Sequence, residues 1–405
     1  MPVSRRGFLQ FARPDGERLT GAFLAARGLE AHLAEAQAQG QRARPLLPPG
    51  VEEIRISSNE NPLGPGRAAL DAILGKFPEA GRYPFNSTPS ETDLGAEIAA
   101  KFKVKPENIV LGAGSQEILK NAMRAWVTPS RGLVTALPTF ENCTGYAKRY
   151  NLPLVEVKVD SAMRLDVDAM IVAASAGDTG LVFFNNPNNP TATVHGAKTV
   201  TDMVERIHKA SPSTVILIDE AYHDYVTDPA YSTAVPLAMS IPNVVVARTM
   251  SKAYGMAGMR IGYAVGMTDT VSKLAMLKMP YNVSVLGIGA AIASLNDPQH
   301  IADERARNTE VRAFTVNALK QMGAKPADSQ GNFLFADIGM PAKDFRDACA
   351  KQGVMVGRDF PPFEKTHCRI SIGTMDEMKK ATDVFRDALK ANMAAPAGAA
   401  SGKGR

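Results

Sequence analysis

The sequence predicts an α/β protein: a large domain with a mainly parallel sheet wrapped by helices, joined to a smaller α+β domain. Three observations predict it. From about residue 51, short apolar runs alternate with helical patterns. Several runs lack polar alternation, as strands buried on both faces do. After about residue 296 the texture changes to a long charged helical pattern with isolated strands.

In chain order, residues 1–48 are rich in Ala, Gln and Arg and end in a Pro-Leu-Leu-Pro-Pro-Gly stretch. They are expected to be an extension, helical near 19–39, then a linker. Residues 49–75 are expected to form an arm and part of the smaller domain, and 76–295 the large domain. Its strands are placed at 108–111, 132–136, 154–159, 180–184, 215–218 and 244–247, with helices such as 115–125 and 199–210 between them. The smaller domain takes 296–392: a helix over 297–322, a strand at 332–336, a helix near 341–352, a strand at 368–372 and a last helix near 375–391. The tail, 393–405, is expected to fray.

Composition limits the function classes. The net charge is +5, from 46 basic and 41 acidic residues, with no run of like charge of the kind a nucleic-acid binder clusters on one face. No apolar stretch approaches the ~20 residues that span a bilayer, so no membrane partner is expected. Three cysteines, Cys143, Cys349 and Cys368, lack metal or disulfide spacing and are expected to be free buried thiols; no metal site is expected. Ser4-Arg5-Arg6-Gly7-Phe8-Leu9-Gln10 resembles a twin-arginine export signal, but Arg13, Asp15, Glu17 and Arg18 break the apolar segment such a signal requires. A cytoplasmic location is expected, with export to the periplasm as the alternative.

The chemistry-bearing residues stand at strand ends. Asp219-Glu220-Ala221-Tyr222 follows the strand at 215–218, and Thr249, Ser251 and Lys252 follow the next, with Arg260 close behind. Asn185–Thr191 follows the strand at 180–184, and Gly112–Glu117 opens a helix after the strand at 108–111. In open parallel sheets ligands bind at the carboxyl ends of strands, so these motifs are expected to share one crevice. Lys252 there can form a Schiff base if burial or cationic neighbours depress its pKa; alone it would be an ordinary surface lysine. Asp219 suits a protonated pyridine nitrogen, though alone it would equally cap a helix. The Gly112–Glu117 turn and Arg260 suit a phosphate, or are only steric and structural.

Together with Ser58-Asn59-Glu60-Asn61-Pro62, Arg82-Tyr83-Pro84, Pro138-Thr139-Phe140, Asn188-Asn189-Pro190-Thr191 and Cys368-Arg369-Ile370-Ser371-Ile372-Gly373, these motifs make residues 51–392 resemble a fold-type I, class I/II aminotransferase, nearest the histidinol-phosphate aminotransferase group. The resemblance implies pyridoxal 5′-phosphate as cofactor. Lys252 would hold it and shuttle a proton; Asp219 would pair with the pyridine nitrogen; Asn189 and Tyr222 would bond the ring oxygen; Phe140 would stack on the ring. Gly114, Ser115, Gln116, Thr249, Ser251 and Arg260 would hold the phosphate. Tyr83 would reach the cofactor of a neighbouring subunit, which makes a homodimer the functional unit. Arg369 would clamp the substrate α-carboxylate. Asn59 and Arg358 fall on the substrate side, where Arg358 meets a substrate phosphate or is a plain surface arginine; Tyr254, Tyr281 and Asn282 line the pocket or simply pack.

The implied reaction moves an amino group from an amino acid or amino-acid-like donor, histidinol phosphate favoured, to a 2-oxo acid such as 2-oxoglutarate. An aromatic or other amino-acid donor, or a decarboxylase of the same fold, is the alternative. The family's usual glycine after Asn-Pro-Thr is Ala192 here.

Overall fold

A computed structural model of the chain describes residues 53–394. The extension at 1–48, its twin-arginine-like segment and the terminal tail beyond residue 394 lie outside the described residues.

The described chain runs β1 (Ile54–Ile56), α1 (Arg67–Lys76), α2 (Glu91–Phe102), β2 (Ile109–Ala113), α3 (Ser115–Trp126), β3 (Gly132–Leu137), α4 (Asn142–Arg149) and β4 (Leu154–Lys158). It continues through α5 (Val167–Ala174), β5 (Thr179–Asn185), α6 (Ala197–Ala210), β6 (Val215–Asp219), α7 (Val235–Ser240), β7 (Val244–Thr249), β8 (Ile261–Gly266), α8 (Thr268–Ala275) and α9 (Val285–Leu295). The last part is α10 (Pro298–Gln321), β9 (Lys325–Pro326), β10 (Phe333–Asp337), α11 (Ala342–Ala350), β11 (Val354–Val356), β12 (His367–Ser371) and α12 (Met375–Ala394).

Seven strands form the main sheet in the order β2-β8-β7-β6-β5-β3-β4. Only β8 runs antiparallel to its neighbours. The uninterrupted apolar runs are explained by what covers them. Along β6, Ile216 and Ile218 join one apolar cluster with α2, α5, α6 and α9, while Val215 and Leu217 join another with α3, α4 and α8. Successive side chains point to opposite faces, so a strand covered on both sides must be apolar at every position.

The six strands expected from the apolar runs are present; β8 is the seventh. Its run holds Gly262 and Gly266, and glycine weakens a strand signal. Gly262 is required by position: a Cβ there would strike the backbone of Gly114 and Ser115, where α3 begins.

A third apolar cluster gathers residues from β1, the C-terminal part of α10, β10, α11, β11, β12 and α12. It carries an antiparallel sheet in the order β12-β10-β9 and the parallel pair β1–β11. Helix α10 starts where Asp297 accepts a hydrogen bond from the His300 amide and Pro298 sets the first turn. It gives Ile301 to the main core and Val311 and Leu319 to the third cluster, so one rigid element anchors both.

Candidate active site

The carboxyl ends of β2, β3, β5, β6 and β7 open on one cavity of about 320 Å³. Its walls hold Asn59, Ser115, Gln116, Phe140, Asn189, Asp219, Tyr222, Thr249, Ser251, Lys252, Arg260, Arg358 and Arg369. Motifs far apart in the chain therefore meet, as the rule for open parallel sheets requires.

Lys252 leaves the end of β7, and its Nζ donates to the Ser58 carbonyl at 3.2 Å and stands 5.7 Å from the Tyr222 ring centre. Burial, then the Arg369 cation, pulls its pKa down to about 8, with Glu60 and Asp219 opposing. Asp219 ends β6 and is 2% exposed, and its carboxylate receives one hydrogen bond, from the Ala221 amide at 3.1 Å. Burial raises its pKa to about 7. A buried carboxyl with so little compensation is an acceptor waiting for a cationic donor from the cavity. Tyr222 is pushed up to about 12 by burial, and its hydroxyl accepts from Asn59 Nδ2 at 3.1 Å.

One end of the cavity is built for an anion. Gly114 has φ +76°, and a Cβ there would run into the Arg260 guanidinium, so only glycine lets the two approach. Helix α3 starts without a side-chain cap, so the Ser115 and Gln116 amides can serve a ligand, while the Glu117 amide donates to the Gly114 carbonyl. The first-turn Glu117 is turned away: it accepts from the amides of Ala113 and Met279 and from Asn282 Nδ2. Thr249 donates to Ser251 Oγ, and Arg260 donates to the same hydroxyl at 3.4 Å and to the Ala257 and Ala113 carbonyls. No carboxylate pairs with Arg260 in these contacts. Arg260 itself has φ 57°, a strained left-handed backbone for a large side chain.

At the other end, Arg369 on β12 is 6% exposed. It donates to Asn189 Oδ1 at 2.8 Å and to the Ser57 carbonyl at 2.5 Å, and its Nε has no partner. Burial lowers its pKa to about 10. Its surroundings are hydrogen-bond acceptors and aromatic rings rather than a paired carboxylate. Arg358 sits beside it, bound by both guanidinium nitrogens to the Glu141 carboxylate.

Gly114, Tyr83, Ala192, Tyr254, Tyr281 and Asn282 stand outside the cavity wall. Gly114 shapes the anion end from beneath Arg260 rather than from the cavity wall. Tyr83 is 64% exposed and packs on Tyr281 and Phe85, away from this chain's own cavity. Tyr254, Tyr281 and Asn282 pack instead of lining the pocket: Tyr254 is buried and bonded to Lys101, Tyr281 joins the Tyr83 cluster, and Asn282 holds Glu117. Ala192 keeps the turn geometry of a glycine, with φ 61°, and buries its methyl completely in the main core.

Two residues of the quoted motifs had no role of their own in the sequence reading. Asn185, at the end of β5, bonds the Asp219 carbonyl and the Asn189 amide and so sets the two elements in register. Ser371 clamps Asn59 through two 2.8 Å hydrogen bonds, which holds Asn59 in its left-handed conformation at φ 54°. Neither type carries a sequence signal; each matters only through what the fold puts opposite it.

Comparison with known proteins gives a consistent result. Residues 51–385 match the family model described as aminotransferase class I and II. The histidinol-phosphate aminotransferase of Moorella thermoacetica is 33% identical over 342 residues, 84% of this chain and 86% of that protein. The aromatic amino acid aminotransferase of Thermobifida fusca is 33% identical over 354 residues, 86% of this chain and 94% of that protein. Among solved structures, the histidinol-phosphate aminotransferase of Sinorhizobium meliloti in complex with pyridoxal-5′-phosphate superimposes with a TM-score of 0.77 at 26% identity, covering 84% of this chain and 92% of that one.

Proposed function

The chain belongs to the class I and II aminotransferases, and from that premise we propose that it moves an amino group between an amino-acid-like donor, histidinol phosphate favoured, and a 2-oxo acid such as 2-oxoglutarate. Pyridoxal 5′-phosphate is the cofactor. The observation that carries the reading is the meeting of Lys252, Asp219 and Arg260 in one cavity. The residues fit the group: a buried carboxyl with one partner for the ring nitrogen, an amine of depressed pKa, and an uncapped helix start beside Arg260 for the phosphate. When bound, the cofactor supplies an electron sink for charge developing at the substrate Cα.

The chain's own residues supply the rest. Arg369 orients the donor by its carboxylate or the equivalent polar group, with its donors held by Asn189 and Ser57. Lys252 takes the Cα proton and returns it at the adjoining carbon, a task suited to a base poised near neutral pH. Asp219 would hold the ring nitrogen through a charged hydrogen bond, which would keep that nitrogen protonated. Tyr222 and Asn189, both in the cavity wall, would hold the ring oxygen, and Phe140 would cover the ring face. Histidinol phosphate is favoured because Arg358 adds a second guanidinium to the donor end. An aromatic donor is the second reading; it rests on the Phe140 ring in the cavity wall and on the aromatic aminotransferase relative.

A homodimer is part of the proposal. Of the exposed large apolar side chains, Leu63, Leu70, Leu74, Phe77, Tyr83, Phe85, Met276, Met279 and Tyr281 all fall in 63–85 and 276–281. Tyr83, Phe85 and Tyr281 join the two segments through ring contacts. A concentration of this kind suits an interface, and a second copy is the occupant that gives Tyr83 its expected role. No helix among the described residues is long and apolar enough to cross a membrane. The cytoplasm is the proposed location; fractionating cells that express the full chain or a chain lacking residues 1–40 tests it.

The functional test is a panel of donors with 2-oxoglutarate, scored by loss of the absorbance of the Lys252-bound cofactor and by the oxo product formed. Histidinol phosphate is expected to react fastest. Carbon dioxide release in place of transfer would overturn the reading, and a fastest reaction with phenylalanine or tyrosine would select the aromatic one.

A further inference from the structure

Arg358 reaches the cavity from the loop between β11 and β12, and its guanidinium is already occupied. Nη1 and Nη2 grip the two carboxylate oxygens of Glu141, Nη1 at 2.5 Å. Glu141 directly follows the cavity residue Phe140 and stands just before α4. The pair thus joins the rim of the main sheet to the strands of the third apolar cluster. Both partners are well exposed, 47% for Arg358 and 43% for Glu141. Arg358 lies 4.2 Å from the Phe360 ring centre, and Arg369 lies 4.9 Å from the same ring. Two guanidinium groups therefore share one aromatic ring at the donor end, and Glu141 is the carboxylate bonded to one of them.

We propose that Glu141 is a displaceable internal counter-ion: it neutralises Arg358 when the bound substrate has a neutral side chain, and yields Arg358 when the substrate carries a distal anion. The inference rests on the aminotransferase reading and deepens it. A two-step transfer uses one site for both partners, and 2-oxoglutarate carries a distal carboxylate whether or not the donor does. A bare Arg358 would leave an unpaired cation facing every neutral side chain, while a buried pair would be too costly to open. An exposed pair is weak and screened, so it opens at small cost. Glu141 then turns to solvent, and Phe360 keeps the freed guanidinium in place from one side.

The test separates donor from acceptor by following single half-reactions, as loss of the absorbance of the Lys252-bound cofactor without added 2-oxoglutarate. Glutamate is the donor with an anion beyond its α-carboxylate and phenylalanine the neutral one; histidinol phosphate, whose phosphate takes the place of the α-carboxylate, is the reference donor. Glu141→Gln removes the competing charge but keeps the shape. It is expected to raise the ratio of second-order rate constants, anionic over neutral, by about fivefold, through tighter apparent binding rather than a faster limiting rate. Arg358→Gln is expected to lower the same ratio about tenfold or more. In the Arg358→Gln background, Glu141→Gln should no longer move it.

Equal changes for anionic and neutral donors in Glu141→Gln, or an effect that persists without Arg358, would overturn the proposal. If the unaltered protein reacts with none of the three donors, the aminotransferase reading fails instead.

Discussion

Lys252 does its work only as a neutral amine, and the protein decides how much of it is neutral. Its pKa stands near 8 because burial disfavours the ammonium and the Arg369 cation adds to that, against an ordinary lysine value of 10.5. At pH 7 about a tenth of Lys252 is neutral, against roughly 0.03% of a free lysine, an advantage of about 300-fold. The perturbation is pH, applied to cofactor-free protein mixed with pyridoxal phosphate. The rate of attachment, read by stopped-flow absorbance and by mass after borohydride trapping, should climb about tenfold per pH unit below the pKa. It should level off just above pH 8. The same shift has a stability side. The folded state binds this proton less tightly than the unfolded chain, so stability of the cofactor-free protein rises with pH between 8 and 10.5, and the cost is fully present below 8. Because Lys252 lines an open cavity, that cost is about 1–3 kcal/mol rather than the full shift. Lys252→Met should raise the stability of cofactor-free protein by that amount at pH 7, measured by urea unfolding. An attachment rate still climbing at pH 10 would refute the argument that burial and Arg369 set the reactivity of this amine.

Other outcomes follow from the same geometry. Lys252→Ala should abolish both the absorbance of the bound cofactor and turnover, measured with the best donor of the panel. Asp219→Asn should lower kcat by roughly 10²–10³-fold, since an amide cannot hold the ring nitrogen cationic. Asp219 also gives the cofactor-free protein an opposite pH trend. Its raised pKa means that the folded state keeps the proton longer, so stability falls as pH rises from about 4 to about 7, and Asp219→Asn should flatten that limb in thermal melts. Arg248 and Glu220 form a buried pair at 2.7 Å, and Arg248→Met should cost about 3–5 kcal/mol in urea unfolding by stranding the carboxylate. Leu74→Asp in the exposed apolar segment should shift light-scattering mass from two chains to one.

Much of this protein was legible before any coordinates. Wherever both faces of a strand are covered, the chain is apolar at nearly every step, which makes β5, β6 and β7 plain in the sequence, while the edge strand β4 carries Glu156 and Lys158 between its apolar residues. A phosphate suits glycine and small hydroxyl residues at a helix start, a Schiff base needs a lysine, and a protonated pyridine nitrogen needs a carboxylate, so Gly114, Ser115, Lys252 and Asp219 stood out by type and order. What tertiary structure alone decided is what faces what. Strand β8 stayed hidden because its glycines dilute the strand pattern, and Gly262 among them is there to clear the start of α3. Asn185 and Ser371 are unremarkable residue types until the fold sets them against Asp219 and Asn59. The pairing of Glu141 with Arg358 spans 217 residues of chain. Local sequence encodes periodicity and residue chemistry, whereas a charge pair between distant loops depends on the relative placement of two sheets, which no local pattern records.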